Sequence, residues 1–379
     1  MPFESELWTF AAFFLIFWVS VHLLDGILDL EKHGIKVVAV FIRFESQGFK
    51  AFLDKASQRN RRLWRVFSNL SLVTGAGMLF YAVYFLSQNL LTFAQPSGEG
   101  SPVVPVLPGV TIRLFWLPYF ILGFLVAVVT HEMAHGVIAR IEGVDIKSAG
   151  LFFALVQPGG FVEPDENELQ NSSTTSKMKI LSAGSSMNLL VGLLVSLIIS
   201  SLFISGPAGI VILEVLGNGP LARAGLQRWE VIYAINGTQI GNLSSLGDYM
   251  ADVEVGDELV LSTSRGDVSM TAGADPDEPD RPILGIVSSL PYCPSRISLG
   301  FFWDIQLYVA LNWTFLVLVN IAVLNMLPIP FFDGDRFLQY FLQRFVERHD
   351  QVKTFFNMLS LFLIAANMTL TMSGSFFSV

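Results

Sequence analysis

The chain has 379 residues, 52% of them hydrophobic and 15% charged, with a mean hydropathy of +0.56 and a formal net charge of −9. Soluble domains carry about 25% charged residues, so the composition excludes an ordinary soluble globule and calls for an integral membrane protein. The single cysteine, Cys293, excludes an internal disulfide framework and any thiolate-based zinc site.

Six stretches are apolar enough to span a bilayer: roughly 7–24, 70–93, 114–139, 180–205, 301–327 and 354–373. The first lacks a basic n-region, since Glu4 and Glu6 precede it, and no small-residue cleavage site follows; it reads as a retained helix. Lys and Arg set the orientation. Segment 25–69 carries nine of them, whereas 94–113 has only Arg113; loops 140–179 and 328–353 carry four each, and the termini none. Six spans with both ends outside fit this bias. His131 then lies toward the cytoplasmic end of the third span. Within 25–69 the pattern Val37-Val38-Ala39-Val40-Phe41-Ile42 allows a surface helix or a strand near anionic lipid. A solvated basic loop is the simpler expectation.

The third span ends in Thr130-His131-Glu132-Met133-Ala134-His135. Two imidazoles one helical turn apart share a face and can share a zinc ion, and the Glu between them can take a proton from the water such an ion activates. His and Glu are costly in a hydrocarbon-length helix and are rarely kept there without a partner or a task.

Residues 150–164 are apolar, too short to span, and interrupted by Pro158, Gly159 and Gly160. Two strands around a Pro-Gly-Gly turn would dip into the membrane from the cytoplasmic side as a re-entrant β-hairpin. Non-helical backbone at that depth must be buried in protein or line a cavity. An open hairpin edge that includes Gly159, Gly160 and Phe161 could hold an extended peptide by strand addition; a plain re-entrant plug is the alternative.

Between the fourth and fifth spans, residues 206–293 hold twelve acids against four arginines, a balance of −8 that leaves the rest of the chain at −1. A separate acidic module follows. Its strand signals are Val211–Val215, Glu230–Ile235 before an Asn236-Gly237 turn, Glu258–Ser262 and Ile283–Val287.

A catalytic zinc needs a third protein ligand. A third histidine in the metzincin manner is excluded, because Ile138 and Ile141 occupy the positions that glycine and histidine would need. The candidate is Asp333, in Asn325-Met-Leu-Pro328-Ile-Pro330-Phe-Phe-Asp333-Gly334 at the inner end of the fifth span, where prolines break the helix and can turn the carboxylate toward a neighbour. An Asp that merely starts a loop is the competing reading. Asn325, spaced from Asp333, could donate to a developing oxyanion or bond a neighbouring helix. His22, Asp25, His33 and His349 are expected at surfaces or interfaces.

These residues resemble the site-2 proteases, zinc metallopeptidases that cut transmembrane segments. The resemblance rests on His131-Glu-x-x-His135, Ala183-Gly-Ser-Ser-Met-Asn188, and Asn325-x-x-Pro-x-Pro-x-x-Asp333-Gly334, and covers about 114–340. Pro158-Gly-Gly-Phe-Val-Glu163 resembles that family's membrane hairpin. Gly-Pro-Leu-Ala-Arg-Ala-Gly-Leu and Ala-Ile-Asn-Gly in the acidic insert resemble its extracytoplasmic PDZ domain. Two departures are Phe332, where Leu usually precedes Asp-Gly, and Trp229-Glu230, where PDZ signatures often have Gly-Asp.

The resemblance implies His131, His135 and Asp333 as zinc ligands, Glu132 as general base, Asn325 near the scissile carbonyl, and Asn188 as a helix-packing or substrate-side residue. The expected fold is an α-helical polytopic membrane protein of about six transmembrane helices plus a re-entrant β-hairpin, with an inserted small β-rich PDZ-like domain. Its expected parts are 1–113, 114–205, 206–296 (the PDZ-like insert), 297–340 and 341–379. The expected function is intramembrane zinc endopeptidase, with one Zn2+ per chain. Its partners would be membrane lipid and transmembrane substrates already cut once by another protease; no nucleic acid is expected, and the insert would either bind peptide C-termini or admit and exclude substrates by size. The active site would face the cytoplasm and the insert the outside. A membrane metal transporter or sensor using the same His/His/Asp set is the alternative, and a catalytically dead scaffold a second one.

Overall fold

A computed structural model describes residues 2–95, 100–297 and 299–373. From the N-terminus, α1 (Pro2–Leu28) leads to β1 (Ile35–Val38), β2 (Phe41–Glu45), α2 (Gln47–Arg59) and α3 (Arg61–Phe93). Then come α4 (Leu117–Ile141), β3 (Ile146–Ala154), β4 (Gln157–Pro164), α5 (Glu166–Asn171) and α6 (Thr174–Leu202). A β-rich stretch follows: β5 (Ile210–Val215), α7 (Pro220–Arg223), β6 (Val231–Ile235), β7 (Thr238–Gln239), α8 (Leu243–Met250), β8 (Glu258–Thr263), β9 (Gly266–Thr271), β10 (Gly273–Ala274), β11 (Pro282–Ile283) and β12 (Ile286–Pro291). The last helices are α9 (Phe301–Asn325), α10 (Asp333–Gln343) and α11 (His349–Ser373).

Among the described residues six helices are long and apolar enough to cross a membrane: Glu6–Leu28, Arg61–Phe93, Leu114–Ile141, Thr174–Leu202, Phe301–Asn325 and His349–Ser373. All six expected spans are there. Large side chains on their open faces, such as Phe13, Ile16, Val73, Tyr84 and Leu197, are apolar and exposed, the pattern of a protein whose solvent is lipid. The second span begins nine residues earlier than expected and takes Arg61, Arg62 and Arg65 into its first turns; long cationic side chains can reach back to the polar interface.

The chain forms two compact units, Met1–Leu193 with Trp313–Val379, and Leu194–Asn312. In the first, β1-β2-β3-β4 make one antiparallel sheet. This corrects the expectation of a solvated loop at 25–69. Val37 and Val38 pair with Ile42 and Phe41 across a tight turn, and Phe41–Glu45 continue the ladder onto Ala154–Gly150. The β3 edge of the hairpin, which would have lain open, is thereby covered, and β4 and β1 are the edge strands of the sheet.

The hairpin turn is also corrected. It falls at Leu155-Val156, between paired Ala154 and Gln157, and not at Pro-Gly-Gly. Leu155 takes a left-handed φ of 53° and is held by Trp18 Nε1, which donates to its carbonyl at 2.7 Å. Pro158, Gly159 and Gly160 lie inside β4. An edge strand tolerates a residue with no N–H to donate, and the two glycines admit neighbours that a side chain would displace.

The core of this unit surrounds the inner half of α4. Ala134, Val137 and Ile138 pack with Leu53 of α2, Ile146 and Ala149 of β3, and Ile180, Ala183 and Met187 of α6. Leu53 is fully buried against Gly136, where a Cβ would lie 2.6 Å from Leu53 Cδ1, so a glycine beside His135 lets α2 approach closely. Truncating such a residue to Ala typically costs about 2–5 kcal/mol. Residues 333–343, expected as loop, form α10: Phe337, Leu338 and Leu342 are buried on one face. Gly334 is needed there because a side chain would run into the Met326 carbonyl.

The second unit holds a six-stranded sheet in the order β12-β5-β6-β8-β9, with β7 paired to β6. Ile210, Ile212, Leu221, Leu226, Ile232, Ile235 and Leu261 form its core. Asn236 and Gly237 have φ of 47° and 80°, the left-handed pair that a tight hairpin turn requires. Trp229 has a φ of 74°, a conformation that glycine adopts without strain and a bulky residue rarely adopts.

Candidate active site

The helical spacing of His131 and His135 stacks their rings edge to face, with centroids 4.6 Å apart. The Pro328–Pro330 break after α9 lets the chain turn back, so Asp333 opens α10 facing α4. His131 Nε2 lies 3.0 Å from His135 Nε2 and 3.1 Å from Asp333 Oδ2, and His135 Nε2 lies 3.2 Å from the same oxygen. Among the described residues this is the one group of three or more such side chains placed to share a metal ion, each offering an atom within 4.8 Å of the others.

The chemistry of this donor set fits a cation. His135 Nδ1 lies 2.7 Å from the Ile180 carbonyl, which can only accept, so Nδ1 carries the ring proton and a neutral ring presents an Nε2 lone pair. Two ring nitrogens and a carboxylate oxygen meeting at one point need a proton or a metal between them. Gly184 of α6 leaves room for one: a Cβ there would stand 2.6 Å from His131 Nε2 and would collide with His135 as well. His2Asp is a ligand set that zinc accepts. No function had been expected of Gly184 or the Ile180 carbonyl; the small-residue run Ala183-Gly-Ser-Ser was the available signal.

Neighbouring side chains complete the site. Asn325 Nδ2 lies 3.0 Å from His131 Nε2 and donates to Asp333 Oδ2 at 3.4 Å. Asn188 is fully buried. Its amide bridges Thr130 Oγ1 at 2.8 Å and His131 Nδ1 at 3.5 Å. By a half-turn an amide offers an oxygen or an N–H to either neighbour, so it can serve the ring in either tautomer. Glu132 lies beside β4, where a Cβ on Gly160 would be 2.7 Å from its Cγ. Glu132, both histidines, Asn325 and Asp333 line a cavity of about 290 Å³, with Phe331 at its margin. Gly159 and Phe161 are neighbours of Gly160 on the same strand; Phe161 lies under the Arg43 guanidinium at 4.1 Å.

The other residues expected at surfaces or interfaces are not part of this group. His22 Nε2 contacts the Ala39 carbonyl, Asp25 accepts from the Leu30 amide, and His349 meets Asp350 at an exposed helix start. At the inner end of α4, Glu142 accepts from Ser68, Ser176 and Lys179. Burial pushes its carboxyl up, but these donors outweigh it and hold the group below its usual value.

Among the described residues, six helices able to span a membrane and a partly buried His/His/Asp group able to hold a metal define a class, that of multi-pass membrane proteins with a candidate metal site. The chain belongs to Peptidase family M50, whose model matches residues 119–367, and is by family a membrane metalloprotease. It is similar to an uncharacterized protein of Methanocaldococcus jannaschii, 26% identical over 343 residues, covering 89% of this chain and 86% of that one. It is also 26% identical over 140 residues to the membrane-bound transcription factor site-2 protease homolog of Arabidopsis thaliana, a match covering 36% of this chain and only 27% of that relative. Among solved structures it is similar to the PDZ domain of the SdrC-like protein of Listeria innocua, at 24% identity and a TM-score of 0.19, over 21% of this chain and 91% of that one.

Proposed function

We propose that this protein is an intramembrane zinc endopeptidase of the site-2 type, which hydrolyses peptide bonds in or near transmembrane segments of other membrane proteins. The observation that carries the reading is the convergence of His131, His135 and Asp333 beside Glu132 on a membrane helix. One Zn2+ per chain would be held by those three residues. When bound, zinc polarises a carbonyl and makes water acidic enough to act as a nucleophile near neutral pH.

The chain's own groups do the rest. Glu132 takes the proton of the attacking water and returns it to the leaving amine nitrogen. Asn325 donates its amide N–H to the oxyanion that forms from the scissile carbonyl; losing such a donor costs about 10²–10³ in rate. A helical substrate hides its carbonyls in its own hydrogen bonds, so it must unwind locally. The free edge of β4, at Gly159, Gly160 and Phe161, offers main-chain partners to the unwound segment.

The Lys and Arg bias of the loops supports a site toward the cytoplasm and an extracytoplasmic 206–296. The PDZ-like signatures of that insert support a role in gripping a new C-terminus or excluding bulky substrates, so that a prior cut by another protease would license this one.

The test is cleavage of a model single-span protein by purified enzyme in proteoliposomes, wild type against Glu132→Gln. Cleavage by wild type alone supports the reading. A Glu132→Gln protein that still cuts, or that cuts nothing yet moves zinc across the bilayer as wild type does, replaces it with another protease activity or with transport.

A further inference from the structure

The chain between Asn325 and Asp333 carries a strained residue. Phe332 N–H donates to the Ile329 carbonyl at 3.1 Å and closes a turn whose central pair is Pro330 and Phe331. Phe331 has a φ of 79°. This is the pattern of a type II turn, which suits proline at the first central position and glycine at the second. A bulky side chain there holds the backbone in a conformation that glycine adopts without strain. Glycine would close the same turn and lead the chain to Asp333 equally well, so the turn itself does not call for the ring.

Core packing does not call for it either. Phe331 is fully exposed, whereas Ile329 and Phe332 on either side of the Pro330-Phe331 pair pack against the cluster of Leu86, Leu327 and Leu363. Exposed aromatic residues on the spans, such as Phe13 and Tyr84, lie in helices, where facing lipid requires no strained backbone. Phe331 instead lines the cavity that holds His131, Glu132, His135, Asn325 and Asp333. Val162 and Pro164 of β4 line the same space. An extended segment that pairs with β4 and brings a carbonyl to the metal group has to enter this cavity, and so comes within reach of Phe331. Backbone strain of this kind collects at active sites and ligand clamps.

We infer that Phe331 contacts the substrate and helps set specificity: its ring packs on an apolar side chain of the unwound segment close to the scissile bond, and the left-handed backbone holds the ring out for it. The inference rests on the peptidase reading above. A transmembrane substrate is apolar through most of its length, so whichever stretch enters the cavity supplies such a side chain. The turn positions Asp333 with or without the ring. Loss of the ring therefore falls on recognition of the substrate and leaves the metal in place.

The test uses the full chain in nanodiscs, with single-span substrates that carry Leu, Ala or Ser at each position flanking the mapped cut. Phe331→Gly relieves the turn and should raise Tm by about 2 °C or more. It should hold zinc as wild type does and lower kcat/KM about tenfold or more. At one position the wild-type preference for Leu over Ser should shrink by a similar factor. Phe331→Leu, which restores an apolar side chain, should recover most of the rate without the gain in Tm. If wild type cuts, Glu132→Gln does not, and Phe331→Gly cuts every substrate as wild type does, this inference is wrong while the peptidase reading stands. Zinc lost from both Phe331 variants in step with activity would make the residue a support for Asp333. A Tm of Phe331→Gly no higher than that of wild type would mean that the ring carries no strain. Either result overturns the inference. Brominated acyl chains that quench Phe331→Trp, in the Glu132→Gln background, equally with and without substrate would make the ring a lipid contact and overturn it too. No cleavage by any form removes the peptidase reading and the inference with it.

Discussion

His135 Nδ1 sits 2.7 Å from the carbonyl oxygen of Ile180, one residue type reaching across from α4 to the backbone of α6. That contact fixes which ring nitrogen keeps the proton, and so turns the Nε2 lone pair toward His131 and Asp333. It also couples the site to the packing of α6, because Ile180 and Ala183 are buried in the core that surrounds the inner half of α4. His135, a proposed metal ligand, is thus oriented by a neighbouring helix as well as by its own.

Gly184→Ala tests this packing directly. The added methyl would occupy the space between the two imidazoles. Bound zinc, measured by elemental analysis of the purified protein, should fall about tenfold or more, as it does when groups supporting a metal ligand are lost. Unchanged zinc content would mean that α6 shifts freely, and that the glycine is not needed for the site.

Asn188→Leu removes the amide that holds His131 on its far nitrogen while nearly keeping the volume. Zinc affinity, measured by competition with a chelator, should weaken about 10–100-fold. Asn188→Asp, which can still accept from the ring, should recover part of the loss. Equal affinity in all three proteins would assign Asn188 to helix packing alone.

Gly160→Ala should leave zinc in place and displace Glu132, since the new methyl meets Glu132 Cγ and not the ligands. The loss should appear in kcat, about 10²-fold for a shift near an ångström, with zinc content as in wild type. A protein that loses zinc in proportion to activity would contradict the placement of β4.

Glu142 gives a pH dependence. Its folded carboxyl titrates below the usual value near 4.3, so its stabilisation is present in full above that value and is lost as the pH falls through the lower folded one. Glu142→Gln should therefore destabilise the protein at pH 7, by about 1–2 kcal/mol for the charge-assisted bonds it weakens. The gap in Tm between mutant and wild type should close as the pH drops below about 4. A gap of constant size from pH 7 to pH 3 would rule out the charged form as its source.

The spans could be read from the sequence because a bilayer demands about twenty apolar residues in a row, and lipid leaves few alternatives to a helix. The His131–His135 pairing followed from the period of that helix, and the turning of Asp333 from the prolines before it. The sheet was harder. β2 pairs with β3 more than a hundred residues away, and nothing local in 25–69 announces a partner at that distance. Pro-Gly-Gly has the composition of a turn, yet an edge strand can hold it, so Leu155 took the turn with Trp18 as its support. Gly184, Gly136 and Gly160 matter through what approaches them, a property of the folded chain that no residue carries alone. α10 was hidden by its shortness and by the polar residues Asp335, Arg336 and Gln339 among its apolar ones.

The central claim is that His131, His135 and Asp333 hold one zinc ion. X-ray absorption at the zinc edge of the purified, zinc-loaded full chain tests it most directly. The account predicts one zinc per chain in a shell of nitrogen and oxygen alone, at about 2.0–2.2 Å, with the signature of two imidazoles, and loss of the metal in Asp333→Ala. A sulfur scatterer near 2.3 Å, or an unaltered spectrum and stoichiometry in Asp333→Ala, would contradict it.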